Sequence, residues 1–413
     1  MRRSELVLAV YLPTGLLAMA QGLLLATLPF YATDLGVSLT VVSVIVSAAA
    51  IGTLVSDVPA GVVLHRIGLR RSMLIGSALV VVGTMSLALP LNAEAVVALR
   101  LLSGVGSALW GLSRHSFIAQ TVDIANRGRS IAVFGGINRI GMFGGPALGG
   151  VIATVAGTSA AFLVAGALGL LAFMAAVAFI PNDKDEATAR RGSGRKRWDL
   201  VATTLRTHSS DLTAAAVAQL FAQMIRQGRQ LLIPLVGATE LSLNPAQVGT
   251  IMTVSAIVDM SMFFPAGILM DRFGRKFASV PSFAIMAIGI GLVPFAGSFL
   301  GLMLAGMVIG LGNGLGSGSM MTLGADLAPP GATGEFLGIW RLIGDIGMVA
   351  GPLAVGLIAN QLGLRGSAVA LMFAGLIAST TLLFLVKETR VAPVLPSPVV
   401  EKGPPDDPAS VRA

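Results

Sequence analysis

The sequence predicts an all-α membrane protein of twelve transmembrane helices in two six-helix halves, related by a pseudo-two-fold axis along the membrane normal. Three observations carry that prediction. Of the 413 residues, 54% are hydrophobic and only 12% charged, with a mean hydropathy of +0.84; the main solvent of such a chain is lipid. Apolar stretches of about 20 residues recur along it, each long enough to cross a hydrocarbon core of about 30 Å. The third observation is an internal repeat. Residues 61–70 read GVVLHRIGLR and residues 267–276 read GILMDRFGRK, an offset of 267 − 61 = 206. Without a gap, the same offset pairs Gln21-Gly22 with Gln227-Gly228, Ala32-Thr33 with Ala238-Thr239, Pro59-Ala60 with Pro265-Ala266, and Gly145-Pro146 with Gly351-Pro352. A duplicated membrane unit forms two repeats packed side by side.

In chain order the spans fall near residues 7–31, 39–63, 72–91, 95–119, 130–154 and 159–180, then 212–236, 246–270, 277–297, 299–324, 335–359 and 365–386. The expected division is a first half over 1–180, a linker over 181–211, a second half over 212–387 and a tail over 388–413. Span one follows the short basic start Met1-Arg2-Arg3 and is too long for a cleaved leader, so it reads as a retained span. Span ten carries Gly306, Gly310, Gly314 and Gly318 at every fourth position. That stripe reads as a helix contact and not as a dinucleotide loop, because no strand precedes it. The linker is polar, and its basic cluster from Arg190 to Arg197 suits either anionic lipid headgroups or plain solvation. The tail, with VAPVLPSPVVEKGPPDDP, has little that can pack and reads as disordered.

Charge placement orients the spans, because Lys and Arg collect on the cytoplasmic side of inner membranes. Arg66, Arg70 and Arg71 follow span two, Arg127 and Arg129 follow span four, seven basic residues lie between spans six and seven, and Arg272, Arg275 and Lys276 follow span eight. Arg365 is the one basic residue in the odd-numbered connections. Both termini are therefore expected in the cytoplasm, at the cell inner membrane. The net charge of +8 is this topological bias; the basic residues are dispersed and lack interleaved aromatics, which argues against nucleic acid as a partner. The absence of cysteine and the scatter of three histidines leave no metal site and no cofactor in view. An enzyme would need a nucleophile with a base, or metal ligands, and no span supplies them.

Three motifs now carry a resemblance. Gly267, Asp271, Arg272, Gly274, Arg275 and Lys276 resemble the loop motif of the major facilitator superfamily, in which a small residue permits close helix approach, a glycine reverses the chain and the acid faces a helix N-terminus. The first copy has His65 in the acid position, beside Arg66. Residues 141–150, GMFGGPALGG, resemble the antiporter signature of drug-efflux members: glycines allow close contact and Pro146, after Gly145, lets the helix bend. The counterpart in span eleven keeps Gly-Pro but has Val355 where the second glycine pair begins. Arg100 to Gly106 in span four is similar to the family's arginine-then-glycine motif. The resemblance covers residues 7–388 and implies alternating access about a central site, with the loop motifs gating it and Arg100 implicated in proton coupling.

Ionisable residues inside a bilayer cost about 2.5–3.5 kcal/mol on insertion scales, so each is a functional candidate. The inventory is Arg100, Arg114, Arg139, Arg226, Arg229 and Arg341 against Asp57, Asp259 and Asp345. The surplus of positive charge calls for an anion. Arg226 and Arg229 share a face of span seven, Gln223, Gln227 and Gln230 add hydrogen-bonding groups to the same stretch, and the two arginines are the leading substrate ligands, with Arg139 and Arg341 either binding substrate or pairing with aspartates. Depth suggests the inter-half pairs Arg139–Asp259 and Asp57–Arg341. Asp345, one turn from Arg341 and aligned with Arg139 at the repeat offset, is the first candidate for the coupling proton, ahead of Asp259 and Asp57. The function that follows is proton-coupled export of a small amphiphilic or anionic compound by a monomer embedded in membrane lipid, the alternative being an uptake symporter or exchanger for an organic anion.

Overall fold

The computed structural model describes residues 7–121, 124–181, 194–207 and 209–389, and its regular structure is helical throughout. The first half contains spans one to three at Val7–Asp34, Leu39–Ile67 and Leu69–Ala88, and span six at Thr158–Phe179. Between them lie span four, Ala93–Thr121, and span five, Ile124–Ala156. In the second half, span seven covers Ser209–Leu235 and spans eight to ten cover Pro245–Phe273, Arg275–Phe295 and Phe299–Leu327. Thr333–Phe384 is a helical path broken at Gly363, whose φ of 71° makes the turn between spans eleven and twelve. Span seven is the most polar of the twelve, and it packs closely against spans eleven and twelve.

Local chemistry starts and stops these helices. Ser38 caps span two by accepting from the Val41 amide, and Asn244 and Gln247 form a capping box at span eight with Pro245 in the first helical turn. The basic loops turn on Gly68 (φ 87°) and Gly274 (φ 112°), a left-handed region open mainly to glycine. These two positions are 206 residues apart, as are the span-ending Gly157 (φ 85°) and Gly363. Packing repeats at the same offset. A Cβ on Gly145 would overlap the backbone of Gly22, and one on Gly351 the backbone of Met224 and Gly228; Gly106 lies on the Gly76 carbonyl as Gly312 lies on that of Ser282. Duplication of the sequence is thus duplication of the helix contacts.

Within the segment expected to be a polar linker, Gly194–Thr207 is a helix. Trp198, Val201 and Leu205 recur at helical spacing, and Val201 is buried, so a short apolar stripe supports it. The basic cluster's remaining residues before Gly194, the N-terminal start and the tail beyond Thr389 lie outside the described residues.

The halves are clamped at the end opposite the basic loops. Spans five and eight meet there so closely that Gly150 rests on the Pro245 carbonyl and Gly249 on that of Pro146. The Ala246 amide donates to Thr154 Oγ1 at 2.9 Å. Thr253 Oγ1 accepts from the Ala147 amide at 3.1 Å and donates to the Phe143 carbonyl at 3.2 Å. A hydroxyl from one half therefore bridges a backbone pair of the other, beside Pro146. Spans two and eleven meet at the same end, where Gly356 packs on Ser43 and Leu39. Toward the basic end Val58, Val62, Ile140, Phe264 and Leu342 are exposed, and Arg341, deep in span eleven, is 57% exposed. The space between the halves opens on that side.

Candidate functional site

A cavity of about 340 Å³ lies between the halves. Its walls come mostly from spans one, two, three and four, closed by Gln227, Gln230, Met348 and Pro352 of the second half. Leu24, Leu25, Leu28, Val46 and Met142 make it largely apolar; Gln21 and its repeat mate Gln227, with Ser47, Thr53 and Ser103, add hydrogen-bonding groups. Arg100 lines it. A smaller lobe of about 50 Å³ shares Leu25, Met142 and Gln230 and is bounded by Arg229 and Ser255. A cavity of this size, apolar with a few convergent polar groups, suits a small organic molecule.

The six intramembrane arginines fall into three groups. Arg139, Arg226 and Arg114 are engaged in packing. Arg139 Nη1 donates to Ser317 Oγ across the halves at 3.0 Å and its guanidinium lies 3.7 Å from the Phe263 ring centroid. Arg226 Nη2 donates to the Gly316 carbonyl at 2.9 Å and faces Phe283, while Arg114 stacks on Phe134 at 4.0 Å. Arg341 forms the second group alone. It bridges Asp57 of the opposite half at 3.7 Å and Asp345 of its own helix at 3.6 Å. Arg100 and Arg229 form the third: like Arg114 and Arg226 they have a buried Nε without an acceptor, but these two face open space, Arg100 on the main cavity and Arg229 on the smaller lobe.

Helix breaks explain two of the first group, Arg226 and Arg139. Span ten divides into Phe299–Leu315 and Ser319–Leu327 around Gly318 (φ 78°), and at this break the Gly316 carbonyl accepts from the Ser319 amide and hydroxyl and from Arg226. Span eight divides after Ser261, where Pro265 lacks the amide that Ser261 would receive, and Phe263 begins the second piece under Arg139. The expected Arg139–Asp259 ion pair is not formed. Asp259 is 2% exposed and takes its hydrogen bond from Asn313 Nδ2 at 2.6 Å, leaving its charge to act on Arg139, Arg226 and Arg229 from a distance.

At the basic end, His65, Arg66, Asp271 and Arg272 are exposed, and Gly267 has open space beside it. The loop motif of the second half is organised by residues that sequence reasoning missed. Arg275 Nε donates to Asp326 Oδ2 at 2.9 Å, and the amides of Arg275 and Lys276 donate to the Glu388 carboxylate at 2.8 and 3.0 Å. An acid at a helix N-terminus neutralises unpaired amides and the positive end of the dipole. Glu388 carried no sequence signal, since it opens a segment that reads as a packing-poor tail and its partners are 113 and 112 residues away.

Known proteins match this architecture. A profile of the Major Facilitator Superfamily matches residues 10–225 and 215–411. An uncharacterised transporter of that type from Methanocaldococcus jannaschii is 22% identical over 364 residues, 87% of this chain and 92% of the relative. The quinolone resistance protein NorA of Staphylococcus aureus is 25% identical over 183 residues, 44% of this chain and 47% of NorA. A synaptic vesicular amine transporter of Rattus norvegicus is 24% identical over 312 residues, 73% of this chain and 58% of its own length. In these last two the chain spans about half the length of the relative. Among solved structures, a POT family transporter in complex with 5-aminolevulinic acid superposes with a TM-score of 0.73 at 16% identity, covering 93% of this chain and 95% of that one. At that identity the likeness speaks for the fold. With the profile spanning both halves and the repeat visible in their packing, the chain belongs to the Major Facilitator Superfamily and is a multi-pass membrane transporter, not an enzyme.

Proposed function

We propose that this transporter is a proton-coupled exporter of a small amphiphilic or anionic compound, working by alternating access as a monomer in the cell inner membrane with both termini and the basic loops cytoplasmic. The observation that carries the reading is the bridge from Asp57 through Arg341 to Asp345. Two carboxylates around one guanidinium sum to a single negative charge, so one proton brings the group to neutrality. The bridge also spans the two halves at the open end of the cavity, where loading a proton and separating the halves act on the same contact. A group placed so can couple proton binding to the conformational equilibrium, because a ligand shifts it by its differential affinity for the two states. Export is favoured by the span-five glycine–proline motif at the opposite clamp and by likeness to a protein named for quinolone resistance.

The test uses reconstituted vesicles and a compound panel under an imposed pH gradient. For Asp345→Asn, intact substrate counterflow with no response to the gradient is expected. An unaltered gradient response removes Asp345 from the mechanism and transfers the role to Asp259 or Asp57. The direction of gradient that drives accumulation separates export from uptake of an organic anion.

A further inference from the structure

Resting on the cavity as the transport site, we propose that the substrate is an organic anion with an apolar body, held by its anionic groups between Arg100 of the first half and Arg229 of the second, and that cations of similar shape are rejected.

Four of the six intramembrane arginines are engaged by protein groups: Arg139 with Ser317, Arg226 with Gly316, Arg341 with Asp57 and Asp345, Arg114 with Phe134. Arg100 and Arg229 have neither a hydrogen bond to a described residue nor a ring beneath them, and the Nε of each is sealed from solvent without an acceptor, as is that of Arg114 and of Arg226, whose guanidinium groups are otherwise engaged. A guanidinium offers five donors in a fixed fork that matches carboxylate, sulfonate and phosphate. Burying one with nothing to accept from it is expensive, and these two are the charged residues on the cavity wall. Neither lobe is lined by a carboxylate. The charge nearest in effect to Arg229 is Asp259, whose Oδ2 is taken by Asn313 and whose field is shared with Arg139 and Arg226.

Placement adds to charge. Arg100 lies about 10 Å along span four from its outer end at 1.5 Å per residue, facing the main chamber, while Arg229 faces the smaller lobe; Leu25, Met142 and Gln230 are common to both. An occupant of the chamber meets Arg100, with Leu24, Leu28 and Val46 against its apolar body, and meets Arg229 of the other half where it extends past Leu25, Met142 and Gln230 into the smaller lobe. Because the arginines belong to different halves, the anion joins them, which gives the bound state a reason to differ in conformation from the empty one.

The experiment measures thermal stabilisation of the purified full-length protein by benzoate, naphthalene-1-sulfonate and phenyl phosphate, against benzylamine and naphthylmethylamine. Ligand binding raises the unfolding midpoint according to concentration over Kd. At least one anion should stabilise and the matched amines should not; Arg100→Gln and Arg229→Gln should each weaken the anion by about tenfold or more, as expected for loss of a charge-assisted hydrogen bond. Arg100→Lys and Arg229→Lys, which keep the charge, should retain part of the shift and serve if a glutamine variant does not fold. Stabilisation by the amines equal to that by the anions, no stabilisation by any of the three anions, or an anion shift untouched in the double glutamine variant each overturns the proposal. The transport reading fails separately: anion binding without flux under a pH gradient sinks coupling and leaves the site, while gradient-driven flux of an amine sinks the anion site and leaves coupling.

Discussion

Arg341 reaches Asp57 and Asp345 at distances beyond a good hydrogen bond, 3.7 and 3.6 Å, and is 57% exposed. Exposure decides what these contacts are worth. A fully buried pair loses about 3–5 kcal/mol when one partner is removed, whereas exposed pairs contribute about 0–1 kcal/mol, and this one lies nearer the second limit in the open state. The consequence is that Asp57→Arg or Arg341→Asp should reduce transport much more than expression. The double Asp57→Arg with Arg341→Asp should recover a good part of that transport, measured as initial rates in vesicles at matched protein. The analogous exchange at Arg139 and Asp259 should show no rescue, since each has a different partner. Strictly additive losses at 57 and 341 would dismiss the first pair; recovery at 139 and 259 would mean those two meet in another conformation.

Broken elements are concentrated in the second half. Spans eight and ten divide near Ser261 and Gly318, and their shorter pieces, Phe263–Phe273 and Ser319–Leu327, lead into the loop motif and to Asp326. Arg275 holds Asp326 while Glu388 holds the amides that begin span nine, so these pieces are tied together at the basic end. Asp271 stands exposed beside them, on the side where the cavity is open. In the opposite state, with that side shut, its carboxylate has the length and charge to reach a helix N-terminus, each such contact being worth about 0.3–1 kcal/mol. Asp271→Asn should therefore slow turnover about two- to fivefold. His65→Asn should leave it close to wild type, because that position lacks a fixed negative charge. A larger transport loss at His65 than at Asp271, at equal expression, would place the latch in the first half.

At the scale of the whole molecule, orientation is the premise from which loading and release follow. Tags at Thr33, Asn92 and Thr158 should be labelled from outside intact cells, and tags at Ser193 and the C-terminus should be protected; the reverse pattern would invert the map and the direction of transport with it. Twelve spans, the basic end and the repeat are legible from the chain because hydropathy, charge count and spacing are additive along it and need no knowledge of neighbours. For the same reason the glycine pairs could be located as contacts before their partners were known. Local periodicity should also have revealed Gly194–Thr207, but its stripe is short and surrounded by charge. Which arginine is free was decided only in three dimensions. Arg139 and Ser317 are 178 residues apart and Arg226 and Gly316 are 90 apart, and both partners lie at the break in span ten. The sequence supplied an excess of buried positive charge; the fold assigned four arginines to helix breaks, aromatic rings and acids, and left Arg100 and Arg229 facing the cavity, because a hydrogen bond depends on distance in space and not along the chain.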